Sequence, residues 1–199
     1  KAHSERLAQH ELNYFESALE SNNMIKVDRT QLNTAEFVEN LNLNDYSVCF
    51  VFGSPILNSV WFRNSLLKIN LHLGLSPYYI GSGTLFWPFN NDDVKHAGIT
   101  WHELTKELDM GRPIIRYKFD SAQGNYYDLI NVILKFSMIE GLKFIKEKIC
   151  TSQSLFTHEY EQNAVTRKYV RSDITAAEIR NVNNQYSNAQ DLQCDITSC

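Results

Sequence analysis

Residues 47–52 (SVCFVF) are β-branched, aromatic and apolar at successive positions, the pattern of a central strand covered on both faces. Residues 67–71 (LKINL) form a second short apolar run, and the intervening ILNSVWFRNS fits a crossover helix or turn. Strand, crossover and strand in that order make the βαβ unit of an open parallel sheet. Ligands of such sheets sit beyond the carboxyl ends of the strands, so the tips following Phe52 and Leu71 are where a site is expected.

Upstream, Leu7, Tyr14, Phe15, Ala18 and Leu19 share one stripe and predict a helix over 4–20, stopped by the SNN that follows. Asn33 or Thr34 caps a second helix that buries Phe37, Val38 and Leu41. Downstream, residues 84–89 predict a short helix. AGITWHEL and PIIRYKF then flank a turn, ELDMGR, as two strands would. The longest periodic stretch, 126–148, predicts an amphipathic helix burying Leu129, Val132, Ile133, Phe136, Ile139, Leu142, Phe144 and Ile145. From Thr151 the composition turns polar. The capping box Thr175-x-x-Glu178 predicts one more short helix, and the composition after Tyr186 predicts a disordered tail. The expected organisation is a catalytic-type α/β domain over 1–150 and a polar C-terminal extension over 151–199.

A length of 199 residues suits one domain with a sizeable core. The net charge of −4 supplies no general attraction for nucleic acid, which disfavours a tRNA substrate. Cys49, Cys150, Cys194 and Cys199 form no CxxC pair and lack the spacing of a disulfide scaffold. With no apolar run long enough to span a bilayer and no signal pattern at the start, the expected location is the cytoplasm and no membrane partner is expected.

The chemistry-bearing residues lie between Ile69 and Pro113. Asn70 and His72 are two apart at the end of an expected strand, so both side chains face the same way. Asp109 lies in a Gly-flanked turn far downstream, a carboxylate partner for the imidazole. An isolated Asn-x-His is more often structural than catalytic. His102 is expected to face a helix or solvent, and His96 to lie on the surface beside a turn. Tyr78, Tyr79, Phe86, Trp87 and Phe89 suit either core packing or stacking on an acceptor. Gly53-Ser54-Pro55 lacks the spacing and lysine of a phosphate loop.

Asn70-x-His72, Pro77 five residues on, Gly81 four further, and the distant Leu108-Asp109-x-Gly111 together resemble the folate-dependent formyltransferases, most closely the sugar N-formyltransferases. The likeness covers roughly 48–119. It departs at His72-Leu-Gly-Leu-Ser-Pro77, where the family commonly reads His-Pro-Ser-Leu-Leu-Pro, at Arg112 after Gly111, and at the family's first strand and helix, which have no counterpart. The resemblance implies an α/β fold with an open, mostly parallel sheet and helices on both faces. It also implies a catalytic set of Asn70, His72 and Asp109 with no metal. The pterin of N10-formyltetrahydrofolate, as co-substrate, is expected between two walls: Phe52, Gly53, Ser54, Ile56 and Leu57 on one side, and Thr105, Glu107, Leu108 and Met110 on the other. The implied acceptor is a primary amine, favoured as the amino group of a nucleotide-linked amino sugar used for surface polysaccharide, with a homodimer as a candidate assembly. The alternatives are a formyltetrahydrofolate hydrolase and a non-catalytic folate-binding or regulatory protein.

Overall fold

The structure, a computed structural model, describes residues 5–6, 25–156, 164–187 and 192–199. The helix expected over 4–20 lies outside the described residues except at 5 and 6. The chain lays down helices α1 (Arg29–Leu32) and α2 (Ala35–Asn40), then strands β1 (Val48–Val51), β2 (Leu67–His72) and β3 (Tyr79–Gly81). Helix α3 (Trp87–Asn90) leads to β4 (Gly98–Glu103) and β5 (Pro113–Gln123), followed by the long α4 (Tyr126–Cys150). The C-terminal part adds β6 (Arg167–Tyr169), α5 (Ala176–Gln185) and β7 (Gln193–Ser198).

The two apolar runs pair in parallel, with Val48 opposite Leu67 and Val51 opposite Asn70. Their crossover is a 3-10 turn, Ser59–Phe62, started by the Asn58 side chain accepting from the Val60 N–H. Its buried Trp61 donates its indole N–H to the Leu32 carbonyl and so ties the short helices to this turn. Thr34 caps α2 as expected, and Val38 is the residue that α2 buries. The sheet runs β1-β2-β4-β5-β7, an α/β arrangement in which β1–β2 is parallel and the later pairings are antiparallel. A second, two-stranded sheet joins β3 to β6.

Four expectations change, the first being the mostly parallel sheet: the five-stranded sheet is mixed, with one parallel pairing of four. Strand β1 ends the row among the described strands and leaves Phe50 and Phe52 44% and 49% exposed, so it is not the covered central strand its apolarity suggested. Periodicity reports the two faces of a strand and carries no information about its edges. Helix α4 starts at Tyr126 as expected, but the row it turns toward the sheet is Leu129, Ile133, Ser137, Gly141 and Ile145, all buried. Phe136, Ile139 and Leu142 are displaced to the exposed flank. Small residues won the inner row because the Trp101 indole needs the room: it donates to Ser137 Oγ at 3.1 Å, and a Cβ on Gly141 would lie 2.3 Å from Trp101 Nε1. Burying Leu129, Ile133 and Ile145 contributes roughly 1.5–3 kcal/mol each, as an upper estimate.

The tail is not disordered over 193–198. It forms β7, with Cys194 opposite Ala122 and Ser198 opposite Tyr117. Its burial alternates and its outer residues are polar, which is why composition alone read as disorder. Of the aromatic group, Tyr79, Trp87 and Phe89 are buried away from the cavity, while Phe86 is buried and also borders it. Phe89 meets Phe119, Tyr126 and Tyr186 edge-on. Among the described residues, no helix is long and apolar enough to cross a membrane.

Candidate functional site

Asn70 and His72 end β2 on the face turned away from α4, since Leu71 and its partner Trp101 occupy the helix-covered face. Pairing with β4 sets His102 directly opposite Asn70. Contrary to expectation, His102 faces neither helix nor solvent. It is fully buried, and its Nε2 lies 3.1 Å from Asn70 Nδ2. The other ring nitrogen, Nδ1, donates to the Glu103 carbonyl at 2.8 Å. A carbonyl only accepts, so the proton is on Nδ1, Nε2 is left as the acceptor, and the Asn70 carboxamide must turn its NH2 toward it. This contact fixes which way the Asn70 amide points. The signal was present in the sequence as two polar residues at matched strand positions, but the register that joins them was not.

Burial holds the His102 imidazole below its ordinary value of 6.5, outweighing the hydrogen bond to Glu103, which favours the protonated ring. The unfolded chain therefore takes up this proton first. As pH falls from 6.5 toward the native value stability declines, and below the native value the loss is complete. Replacing His102 with Gln should flatten this slope, read from urea unfolding at steps between about pH 5 and 7.5. An unchanged slope would mean that His102 is not the group responsible.

Asp109 comes from the turn between β4 and β5 and adopts φ +55°, a left-handed conformation that Asp tolerates better than most residues. That conformation aims its carboxylate inward. Oδ1 lies 3.4 Å from His72 Nδ1, with both side chains more than nine-tenths buried. Oδ2 accepts from the Gly81 N–H at 3.3 Å. His72 Nε2 in turn donates to the Tyr79 carbonyl at 3.2 Å. The imidazole is thus held between a carboxylate and a main-chain oxygen of β3. Behind the turn, Gly111 lets the chain pass so close to β4 that an added Cβ would fall 1.6 Å from the Glu103 carbonyl oxygen.

One cavity of about 640 Å³ opens in front of these groups. Asn70, His72 and Asp109 all border it. So do the expected wall residues Phe52, Gly53, Ser54, Ile56 and Leu57 from the tip of β1, and Thr105, Glu107 and Leu108 from the β4–β5 turn. Met110 does not line it and is half exposed instead. Leu85, Phe86, Ile130 and Leu134 add apolar lining, and Ile174 contributes more from the C-terminal segment. The site therefore lies beyond the carboxyl ends of the parallel pair β1–β2, where open α/β sheets bind ligands. Among the described residues, no group of three or more His, Cys, Asp or Glu is placed to hold a metal ion.

No known family model and no curated protein matches this sequence. Solved structures do. A 4-N formyltransferase from Francisella tularensis is 18% identical, with a TM-score of 0.53 over 96% of this chain and 87% of that one. HypX from Aquifex aeolicus, solved with tetrahydrofolic acid, is 14% identical with a TM-score of 0.56, over 93% of this chain and 33% of that one. A sugar 3-N-formyltransferase solved with dTDP and 5-N-formyltetrahydrofolate is 19% identical with a TM-score of 0.54, over 90% of this chain and 75% of that one. At these identities the likeness is one of fold.

Proposed function

Starting from a formyltransferase fold, we propose that this chain moves a formyl group from N10-formyltetrahydrofolate to a primary amine. The observation that carries the reading is a convergence: Asn70, His72 and Asp109 border the same cavity as the two chain segments expected to sandwich a pterin. That lining fits a flat heteroaromatic ring. Apolar Ile56, Leu57 and Leu108 can cover its faces, and the main chain of 52–57 and 104–109 can meet the donors and acceptors along its edge. In the chemistry proposed, the amine nitrogen attacks the formyl carbon, the carbonyl oxygen takes up negative charge, the C–N10 bond breaks and N10 accepts a proton. Asn70 donates to the oxyanion without ionising, its amide already oriented by His102. His72 Nε2, which carries the proton it donates to Tyr79, exchanges that hydrogen bond for one to the substrate and there donates to the oxyanion. Asp109, 3.4 Å from the other ring nitrogen, orients the ring.

For the acceptor, a nucleotide-linked amino sugar remains the preferred class, supported by the neighbour solved with dTDP. The test incubates the protein with N10-formyltetrahydrofolate and a panel of amines that includes amino-sugar nucleotides, while tetrahydrofolate release is followed. Release that requires an amino-sugar nucleotide is the expected result. Release without any amine would identify a hydrolase, and no release at all would exclude transfer to the amines tested.

A further inference from the structure

The His72–Asp109 pair rests on β3, and β3 is held from outside the catalytic segment. Tyr79 supplies the carbonyl that accepts from His72 Nε2, and Gly81 supplies the N–H that donates to Asp109 Oδ2. These two residues are the ends of β3, which pairs in parallel with β6: Tyr79 lies opposite Arg167 and Gly81 opposite Tyr169. Main-chain bonds close the pair at both ends, from Arg167 N to the Tyr78 carbonyl at 2.7 Å and from Ser82 N to the Tyr169 carbonyl at 2.9 Å. The approach is tight enough that a Cβ on Gly81 would lie 2.2 Å from the Tyr169 oxygen.

Side chains lock β6 in place. Arg167 Nη1 donates to Asp93 Oδ2 at 2.6 Å and to Tyr79 Oη at 2.8 Å, and Tyr79 Oη donates to the same carboxylate oxygen at 2.9 Å. Tyr169 stacks on Trp87 with ring centres 4.1 Å apart and planes 11° apart, and its hydroxyl accepts from Asn91 Nδ2 at 2.9 Å. A few residues on, Ile174 packs where a Gly83 side chain would be and borders the cavity itself. Burial pushes the Asp93 carboxyl up, but hydrogen bonds from His96, Arg167 and Tyr79 together outweigh it and keep the group below the ordinary carboxylate value.

Resting on the formyl-transfer reading for its kinetic consequence, we propose that β6 is a positioning element for the His72–Asp109 pair, with Arg167 as its clasp. Nothing in the chemistry requires Arg167 to touch substrate. It acts through β3, by fixing the two main-chain groups that decide where the imidazole and the carboxylate lie. The C-terminal segment is then a working part of the site, and releasing β6 lets the pair lose its alignment while the sheet stays folded.

The test compares the whole chain with Arg167→Ala, Arg167→Lys and Tyr169→Phe. Three readouts are used: amide exchange at Ser82 and Arg167, the ring nitrogen resonances of His72 assigned with a His72→Gln variant, and steady-state formyl transfer. Arg167→Ala should speed exchange at both amides, move the His72 resonances and lower kcat about tenfold, with the KM for the folate donor nearly unchanged. Arg167→Lys keeps a cation on Asp93 and should recover to within about threefold of the wild type. Tyr169→Phe, which keeps the stack and loses one hydrogen bond, should fall between the two, and it serves as the probe if the alanine variant does not fold. Faster exchange with unmoved His72 resonances overturns the proposal, and so does unchanged exchange in Arg167→Ala. Moved resonances in a protein that transfers no formyl group would leave the positioning role standing and remove the transfer reading instead.

Discussion

Asn70→Ala lowers the rate of formyl transfer by about 10²–10³-fold at saturating donor and acceptor, the loss expected when one preorganised oxyanion donor is removed. Asn70→Asp is expected to fall as far. Its carboxylate keeps the shape of the amide but offers no N–H, either to the developing oxyanion or to His102 Nε2, which already faces Asn70 as an acceptor. Both changes leave that buried nitrogen without its donor, so each should also cost about 1–3 kcal/mol of stability. Kinetics on the purified variants, with melting temperatures beside them, separates the two effects. A variant that melts lower yet turns over at the wild-type rate would show that the Asn70–His102 contact serves folding and not chemistry.

The second large effect is on stability. Gly111→Ala would place a methyl group 1.6 Å from the Glu103 carbonyl oxygen and 3.1 Å from His102 Nδ1. Neither neighbour can move freely. Glu103 pairs with Ile69 on β2 and accepts from His102, and its N–H donates to the Arg112 carbonyl across the turn. The strands must part, at a cost of about 3 kcal/mol, or roughly 6–12 °C in Tm for a domain of this size. Because the same displacement carries Asp109 away from His72, transfer should fall in the fraction that remains folded. Thermal unfolding checks this directly, and a Tm within about 2 °C of the wild type would mean that the turn is free to relax.

The placement of the candidate site was legible in part from local rules and in part from the family resemblance, which supplied Asp109 and the two cavity walls. Asn70 and His72 share a face by strand alternation, and the tip after Phe52 faces the cavity because β1 and β2 are parallel. Asp109 entered through the Leu-Asp-x-Gly pattern, and the structure brings it to the imidazole. Features that depend on register or on distant contacts were not legible. His102 meets Asn70 only because β4 pairs with β2 in one particular register. Arg167 reaches Tyr79 across 88 residues with no local signature to announce it. The sequence places the start of α4 and Leu129, Ile133 and Ile145 of its inner row, but not Ser137 and Gly141, because Phe136 and Leu142 outrank them in hydrophobicity while the Trp101 indole selects for size. The polar tail read as disorder because β7 draws its order from pairing with β5, a property of its partner.

The formyl carbon proposed to cross from folate nitrogen to an amine nitrogen, in the cavity bordered by Asn70, His72 and Asp109, can be followed directly. A donor labelled with ¹³C at the formyl carbon, mixed with excess protein and an amino-sugar nucleotide, reports the fate of that carbon by NMR. The expected spectrum shows the label as a formamide on the acceptor, matched mole for mole by tetrahydrofolate and missing when Asn70→Ala replaces the wild type. Label found as free formate, or still on folate after the wild-type protein has been given every amine in the panel, would contradict the account.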